Sequence, residues 1–256
     1  LRIDGPREWS SFSERPDASK LEVSFEGQVN AREWTLSLFQ EDVKQTWIVS
    51  LNGKELGRLE RDENEMTVYF SIPPGGVLEG KNALVIGQQV RGRSQPDDVR
   101  LGRVSIHDRP KQEVLSEATL TIQVIDERTK NPLPARVTIV NRDGALQTTN
   151  AKSNGHLAVR PGVVYTANGE ATFGVPAGRY TIYAGRGFEF SLAKVEVDVA
   201  AGEEICRTLA ITREVPTEGY VACDTHVHTL THSGHGDASV QERMVTLAAE
   251  GIELPI

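Results

Sequence analysis

From Leu21 to about Thr212 the chain alternates apolar and polar residues with a period of two, and turn residues cut the alternation at short intervals. Successive side chains of a strand point to opposite faces, so this pattern fits strands with one wetted and one buried face. The first set of expected strands is Leu21–Phe25, Trp34–Phe39, Thr46–Leu51, Glu55–Leu59, Met66–Ile72, Asn82–Ile86 and Asp98–Ile106. Asn52-Gly53 is the strongest hairpin signal among them, because both central residues of a type I′ turn need positive φ. Pro73-Pro74 stops the fifth run, since proline cannot donate to a ladder.

Arg109-Pro-Lys-Gln-Glu reads as a polar linker. A second alternating region follows, with strands expected over Ala118–Ile125, Pro134–Val140, Glu170–Phe173, Val175–Tyr183 and Ala193–Val199. The stretch from Gln147 to Val164 is rich in turn residues and reads as an insertion, with His156 a solvated loop residue. Trp34 and Trp47 lie inside alternating strands, where tryptophan usually packs in a core; a sugar-stacking platform is the alternative.

The net charge of −8 and the absence of a basic run exclude a nucleic-acid partner, which needs a concentrated basic face. No stretch approaches the roughly 20 apolar residues that span a bilayer. Cys206 and Cys223 cannot make a disulfide framework and are expected as buried thiols. The first residues lack both an initiating Met and a signal-peptide pattern. An upstream segment is therefore expected to have been removed, and a periplasmic or secreted location follows if that segment was a signal.

After Thr212 the character changes. Tyr220-Val-Ala-Cys suits a buried strand, and Asp224-Thr-His226-Val-His228-Thr-Leu-Thr-His232-Ser-Gly-His235-Gly-Asp237 follows it. Four of the six histidines lie between positions 226 and 235, a clustering that incidental histidines would not show. In an extended chain His226 and His228 point the same way and can reach one metal ion. Asp224 is in phase with them, either as a ligand or as an acceptor that fixes an imidazole tautomer. Gly234 and Gly236 let the loop fold back so that His235 and Asp237 approach. Ser239-Val-Gln-Glu242 fits a capping box, Val240, Met244, Leu247 and Ala248 share a helical face, and Gly251 suits the stop. Ile252–Ile256 starts another strand, giving a β–loop–α–β unit whose helix has little apolar surface to rest on.

Three resemblances attach to these motifs. "Val-Ser-Leu-Asn-Gly-Lys-Glu-Leu-Gly", "Ile-Pro-Pro-Gly" and "Gly-Lys-Asn-Ala-Leu-Val-Ile" resemble a galactose-binding-like jelly roll. "Pro-Ala-Arg-Val-Thr-Ile" with "Val-Pro-Ala-Gly-Arg-Tyr-Thr-Ile" is similar to the carboxypeptidase-regulatory, transthyretin-like sandwich, in which the Tyr after the Gly turn starts a core-facing strand. "Asp-Thr-His-Val-His-Thr", the His/Asp loop, the capped helix and "Glu-Gly-Ile-Glu-Leu-Pro-Ile" resemble the opening of the polymerase-and-histidinol-phosphatase (PHP) metallohydrolase domain, carbaryl-hydrolase branch.

Together they imply a mainly β chain of two tandem β-sandwiches, jelly-roll-like over 1–110 and transthyretin- or Ig-like over 113–213. The start of an α/β PHP barrel would occupy 219–256. The PHP resemblance implies metal ligands at His226, His228 and His235, with His235 a better match than His232. It implies catalytic roles for Asp224 and Asp237, divalent zinc, manganese or iron, and hydrolysis of a small ester or phosphoester by metal-activated water. The family's later ligands are missing, so the expectation is an inactive fragment of a longer hydrolase, with self-association through the unfinished strand. The alternative is a non-catalytic β-sandwich binding or spacer module, with carbohydrate as its ligand.

Overall fold

The computed structural model describes residues 1–90 and 96–256. The chain is mainly β, and it forms two compact units, Leu1–Val114 and Leu115–Ile256.

In the first unit seven strands follow the alternation closely: β1 (Lys20–Gly27), β2 (Trp34–Glu41), β3 (Trp47–Leu51), β4 (Lys54–Arg58), β5 (Met66–Ile72), β6 (Gly80–Gln88) and β7 (Arg100–His107). One antiparallel sheet has the order β1-β6-β3-β4, and β2 pairs with β5 and β7 in another. Asn52 and Gly53 have φ of 51° and 77°, the double positive φ of a two-residue hairpin between β3 and β4. The strand before Pro73 ends at Ile72. The core holds Leu36, Leu38, Trp47, Val49, Met66, Ile72, Leu84 and Ile86, each buried. Trp47 is 0% exposed, and its indole Nε1 donates to Asp97 at 2.6 Å. Backbone amides of Lys44 and Gln45 donate to the same carboxylate. Burial pushes the Asp97 carboxyl above its usual range despite these donors. The residues expected to form the linker wind into a short helix, α1 (Lys111–Val114).

The second unit is a sandwich of a larger sheet and a three-stranded one. The strands β8 (Ala118–Asp126), β9 (Ala135–Asn141), β13 (Glu170–Val175), β14 (Gly178–Gly185) and β15 (Ala193–Val199) occupy the expected positions. The turn-rich stretch is not a bare loop. It contains β10 (Leu146–Gln147) and an antiparallel hairpin, β11 (Leu157–Arg160) with β12 (Val163–Thr166). Turn residues such as Pro161-Gly162 lie within the hairpin as its connection and hid it. A further strand, β16 (Glu204–Ile211), follows the Ala200-Ala-Gly turn and runs parallel to β8.

The order β11-β12-β9-β14-β15 forms one sheet and β13-β8-β16 the other. Between them Leu120, Ile122, Val137, Ile139, Phe173, Tyr180 and Ile182 make a continuous buried cluster. Tyr180 is core-facing, and its hydroxyl donates to the Pro176 carbonyl at 2.7 Å. Cys206 and Cys223 are both exposed, not buried as expected. Cys206 is in phase with outward residues of β16, and Cys223 opens the short strand discussed next.

Residues 223–256 make a β–loop–α–β unit. Strand β17 (Cys223–Asp224) pairs in parallel with β18 (Leu254–Pro255), and α2 (Leu230–Ser233) and α3 (Val240–Ala249) lie between. Residues 223–256 hold just this two-residue strand pair, and the described residues contain no α/β barrel. Helix α3 is not left uncovered. It packs on β11, β12 and β9 of the same unit and buries Val245, Leu247 and Ala249. Burying a Val or Leu side chain stabilises by roughly 1.5–3 kcal/mol, so the sandwich supplies the apolar partner that the helix needed. The buried stripe is displaced from the one expected: Met244 is 45% exposed. No helix among the described residues is long and apolar enough to cross a membrane.

Candidate functional site

The histidine segment is built from its turns outward. Asp224 ends β17, and its Oδ1 accepts from the His226 backbone amide at 3.1 Å. The carboxylate therefore fixes the turn that launches the two histidines. The backbone continues pairing for one more step, because Val227 donates to the Ile256 carbonyl. His226 and His228 come together as their i,i+2 spacing required, with Nε2 atoms 2.6 Å apart and ring centroids at 4.6 Å. The His235 ring lies against His228, centroid to centroid 4.4 Å.

Thr229 caps α2, accepting from the His232 amide, and Gly234 ends that turn at φ 68°. Leu230 then donates to the Ala238 carbonyl and closes the loop on itself. His232 is exposed on α2 and outside the ring cluster. His156 is exposed in the loop before β11.

His228 is the imidazole that touches both of the others. Desolvation lowers the His228 pKa below the ordinary histidine value, and the neighbouring His235 and His226 lower it further. Asp237 is engaged elsewhere. Its carboxylate is held by Arg243 Nη2 at 2.5 Å and by Arg160 Nε at 3.4 Å. Burial raises its carboxyl, but the two guanidinium groups outweigh that and keep it below the usual range.

The helix start is as the sequence reads it. Ser239 accepts from the Glu242 amide, and Glu242 accepts from the Ser239 amide and hydroxyl, completing the capping box. Glu242 also meets Arg160 of β11 at 3.5 Å. The Ser239 amide and the Ser153 hydroxyl are the main reasons that its pKa falls to about 2. Ser153 and Arg160 both come from the stretch read as an insertion. Sequence reasoning missed them because their role is set by a helix that lies some eighty positions away.

The imidazoles were tested as a metal site on their own geometry. Two nitrogens bound to one tetrahedral ion at about 2.0–2.1 Å would stand roughly 3.3 Å apart. The His226–His228 pair at 2.6 Å reaches that by a small opening of the rings. Among the described residues no group of three His, Cys, Asp or Glu side chains converges on one ion position. The pair fits a metal; the trio and Asp237 as placed do not.

The tryptophans divide. Trp47 is a core residue and is no platform. Trp34 is half-buried and lines an open cleft of about 640 Å³ in the first unit, together with Phe25, Glu26, Val77, Glu79 and Asp108.

No family model matches the chain, and no curated protein matches it. Among solved structures it is similar to BcpA, the major pilin subunit of Bacillus cereus, at 13% identity and a TM-score of 0.29. That match covers 71% of this chain and 61% of the pilin, so the chain spans under two thirds of that relative's length. The group B streptococcus pilus 2b backbone protein follows at 12% identity and TM-score 0.27, covering 76% of this chain and 92% of that one. Klebsiella pneumoniae 5-hydroxyisourate hydrolase is similar at 19% identity and TM-score 0.23, covering 40% of this chain and 96% of that one.

Likenesses this distant transfer no activity. The PHP family expected from residues 219–256 is overturned on other grounds: no family model matches the chain, and the described residues hold no α/β barrel. The expectations of a hydrolase, a phosphoesterase and a zinc enzyme fall with that family. The galactose-binding-like and carboxypeptidase-regulatory names also find no family model. The coarser statement that the chain is built from β-sandwich units stands.

Proposed function

We propose that this chain is a non-catalytic β-sandwich spacer whose second unit presents a histidine segment on its larger sheet. The observation that carries this reading is the commitment of its large side chains to packing. Trp47 is fully buried, and the core of the second unit is continuous from Leu120 to Ile182. An exported setting and self-association belong to the same reading. Leu254 and Ile256 are 49% and 68% exposed beside a two-residue strand, and such an edge is a template for another chain. Sedimentation over a concentration series tests this, with Leu254→Lys expected to abolish any dimer. Turnover of nitrophenyl acetate or nitrophenyl phosphate that disappears in a His226→Ala, His228→Ala variant would overturn the non-catalytic reading.

A second property is favoured by the imidazole pair alone. His226 and His228 would hold a divalent transition ion, the remaining positions being filled by water. Cobalt(II) absorption in the visible range is the readout, with a spectrum expected for the parent chain and lost in the double variant. A parent chain that leaves the cobalt spectrum as it is in buffer sinks this property.

A further inference from the structure

Asp237 and Arg243 connect the two ends of the histidine loop. Arg243 projects from the first turn of α3, and its guanidinium points two ways: Nη2 to Asp237 Oδ1 at 2.5 Å and Nε to the His228 carbonyl at 3.3 Å. The residues so joined lie nine apart in sequence, one before α2 and one just ahead of the α3 cap. Arg160 of β11 then fixes the Asp237 end to the sandwich. Its Nη2 donates to the Asp237 carbonyl at 3.0 Å, its Nε meets the carboxylate, and its Nη1 reaches Glu242. We infer that Arg243, Asp237 and Arg160 form a clasp that positions His228 and His235, so that the sandwich sets the geometry of the imidazole cluster.

The chemistry favours arginine at both positions. A planar fork satisfies two acceptors in fixed directions, whereas an ammonium is a point charge that cannot hold both. The clasp is also partly exposed: Arg243, Arg160 and Asp237 keep 26%, 28% and 66% of their side-chain surface. Exposed pairs contribute little to global stability, so what the clasp supplies is orientation. Asp237, expected from the sequence as a catalytic carboxylate, becomes a positioning residue that acts through two arginines.

The inference concerns the metal-free chain first and is tested there. In uniformly ¹³C,¹⁵N-labelled protein, the parent should show ring-to-ring NOEs between His228 and His235, and slow exchange of the Leu230 amide. Arg243→Ala should remove the NOEs and speed Leu230 exchange roughly tenfold, as a loop opens locally without global unfolding. Arg243→Lys should fail to restore them, because it loses the fork. Should Arg243→Ala not fold, Asp237→Asn keeps the shape, removes the charge and is read in the same way. Arg207→Ala, on β16 away from the clasp, should change neither signal. Unchanged NOEs and exchange in folded Arg243→Ala or Asp237→Asn would overturn the clasp.

A second measurement rests on the metal reading above: the Arg243→Ala chain should bind cobalt(II) roughly tenfold more weakly, as when a group that orients a ligand is lost. Failure of the parent to bind cobalt while the NOE result holds would sink the metal reading and leave the clasp standing.

Discussion

Two arginine–aspartate pairs of almost equal length serve different ends in this protein. Arg2 and Asp98 meet at 2.6 Å in the first unit with side chains only 2% and 4% exposed. Arg243 and Asp237 meet at 2.5 Å in the second with 26% and 66% exposed. Arg2 also donates to the Glu14 carbonyl, and Asp98 accepts from the Glu8 amide. The amino-terminal segment is thereby tied to the strand that begins at Arg100. Burial, not distance, separates a pair that holds a unit together from one that orients a loop.

The comparison can be broken most easily at its buried end. Arg2→Ala should destabilise the first unit by about 3–5 kcal/mol, because it strands a buried carboxylate. Urea unfolding that moved by less than about 1 kcal/mol would show that the pair is solvated in practice. Next in size is Gly187→Ala. Gly187 has φ 57°, and a Cβ there would lie 2.2 Å from the Glu250 carbonyl oxygen at the end of α3. The cost should be about 1–3 kcal/mol, with α3 amides losing exchange protection before those of the sandwich core.

Ser239→Ala removes the cap and should cost about 1 kcal/mol, also confined to α3. The same cap gives a pH dependence. Glu242 has its carboxyl depressed to about 2 in the folded chain, below an unfolded value of about 4.3. Its stabilisation is therefore complete above about pH 4.3 and is lost as pH falls through that value towards 2. Helix α3 should fray over that window, and Glu242→Gln should remove the window while leaving the helix weaker at pH 7. Smallest is the global effect of Asp237→Asn, expected to be within about 1 kcal/mol. A larger loss in thermal unfolding would move the clasp into the class of Arg2–Asp98.

Much of this was legible in the chain. Alternation located the strands of the first unit because antiparallel strands with one wetted face show period two directly. Asn52-Gly53 and the Ser239–Glu242 box were legible because a turn and a cap depend on neighbours in sequence. The hairpin of β11 and β12 was not, since its four-residue strands are too short to display a period. Nor was the buried stripe of α3, because the sheet beneath it buries Val245 and Ala249 and leaves Met244 outside. The family read from Asp224 to Ile256 failed for a related reason: a short motif fixes local geometry and leaves its setting open.

The sequence by itself determined that the chain would be mainly β, that Asn52-Gly53 would turn, that α3 would start at Ser239, and that His226 and His228 would face one another. Each is a local rule of period, φ or cap that acts over a few residues. Tertiary structure alone decided that Trp47 serves the core through Asp97 and that α3 rests on the sandwich. It also decided that the Asp237 carboxylate pairs with Arg160 and Arg243. Those partners lie from six to more than a hundred positions away, and burial and charge pairing between them exist only once the chain has folded.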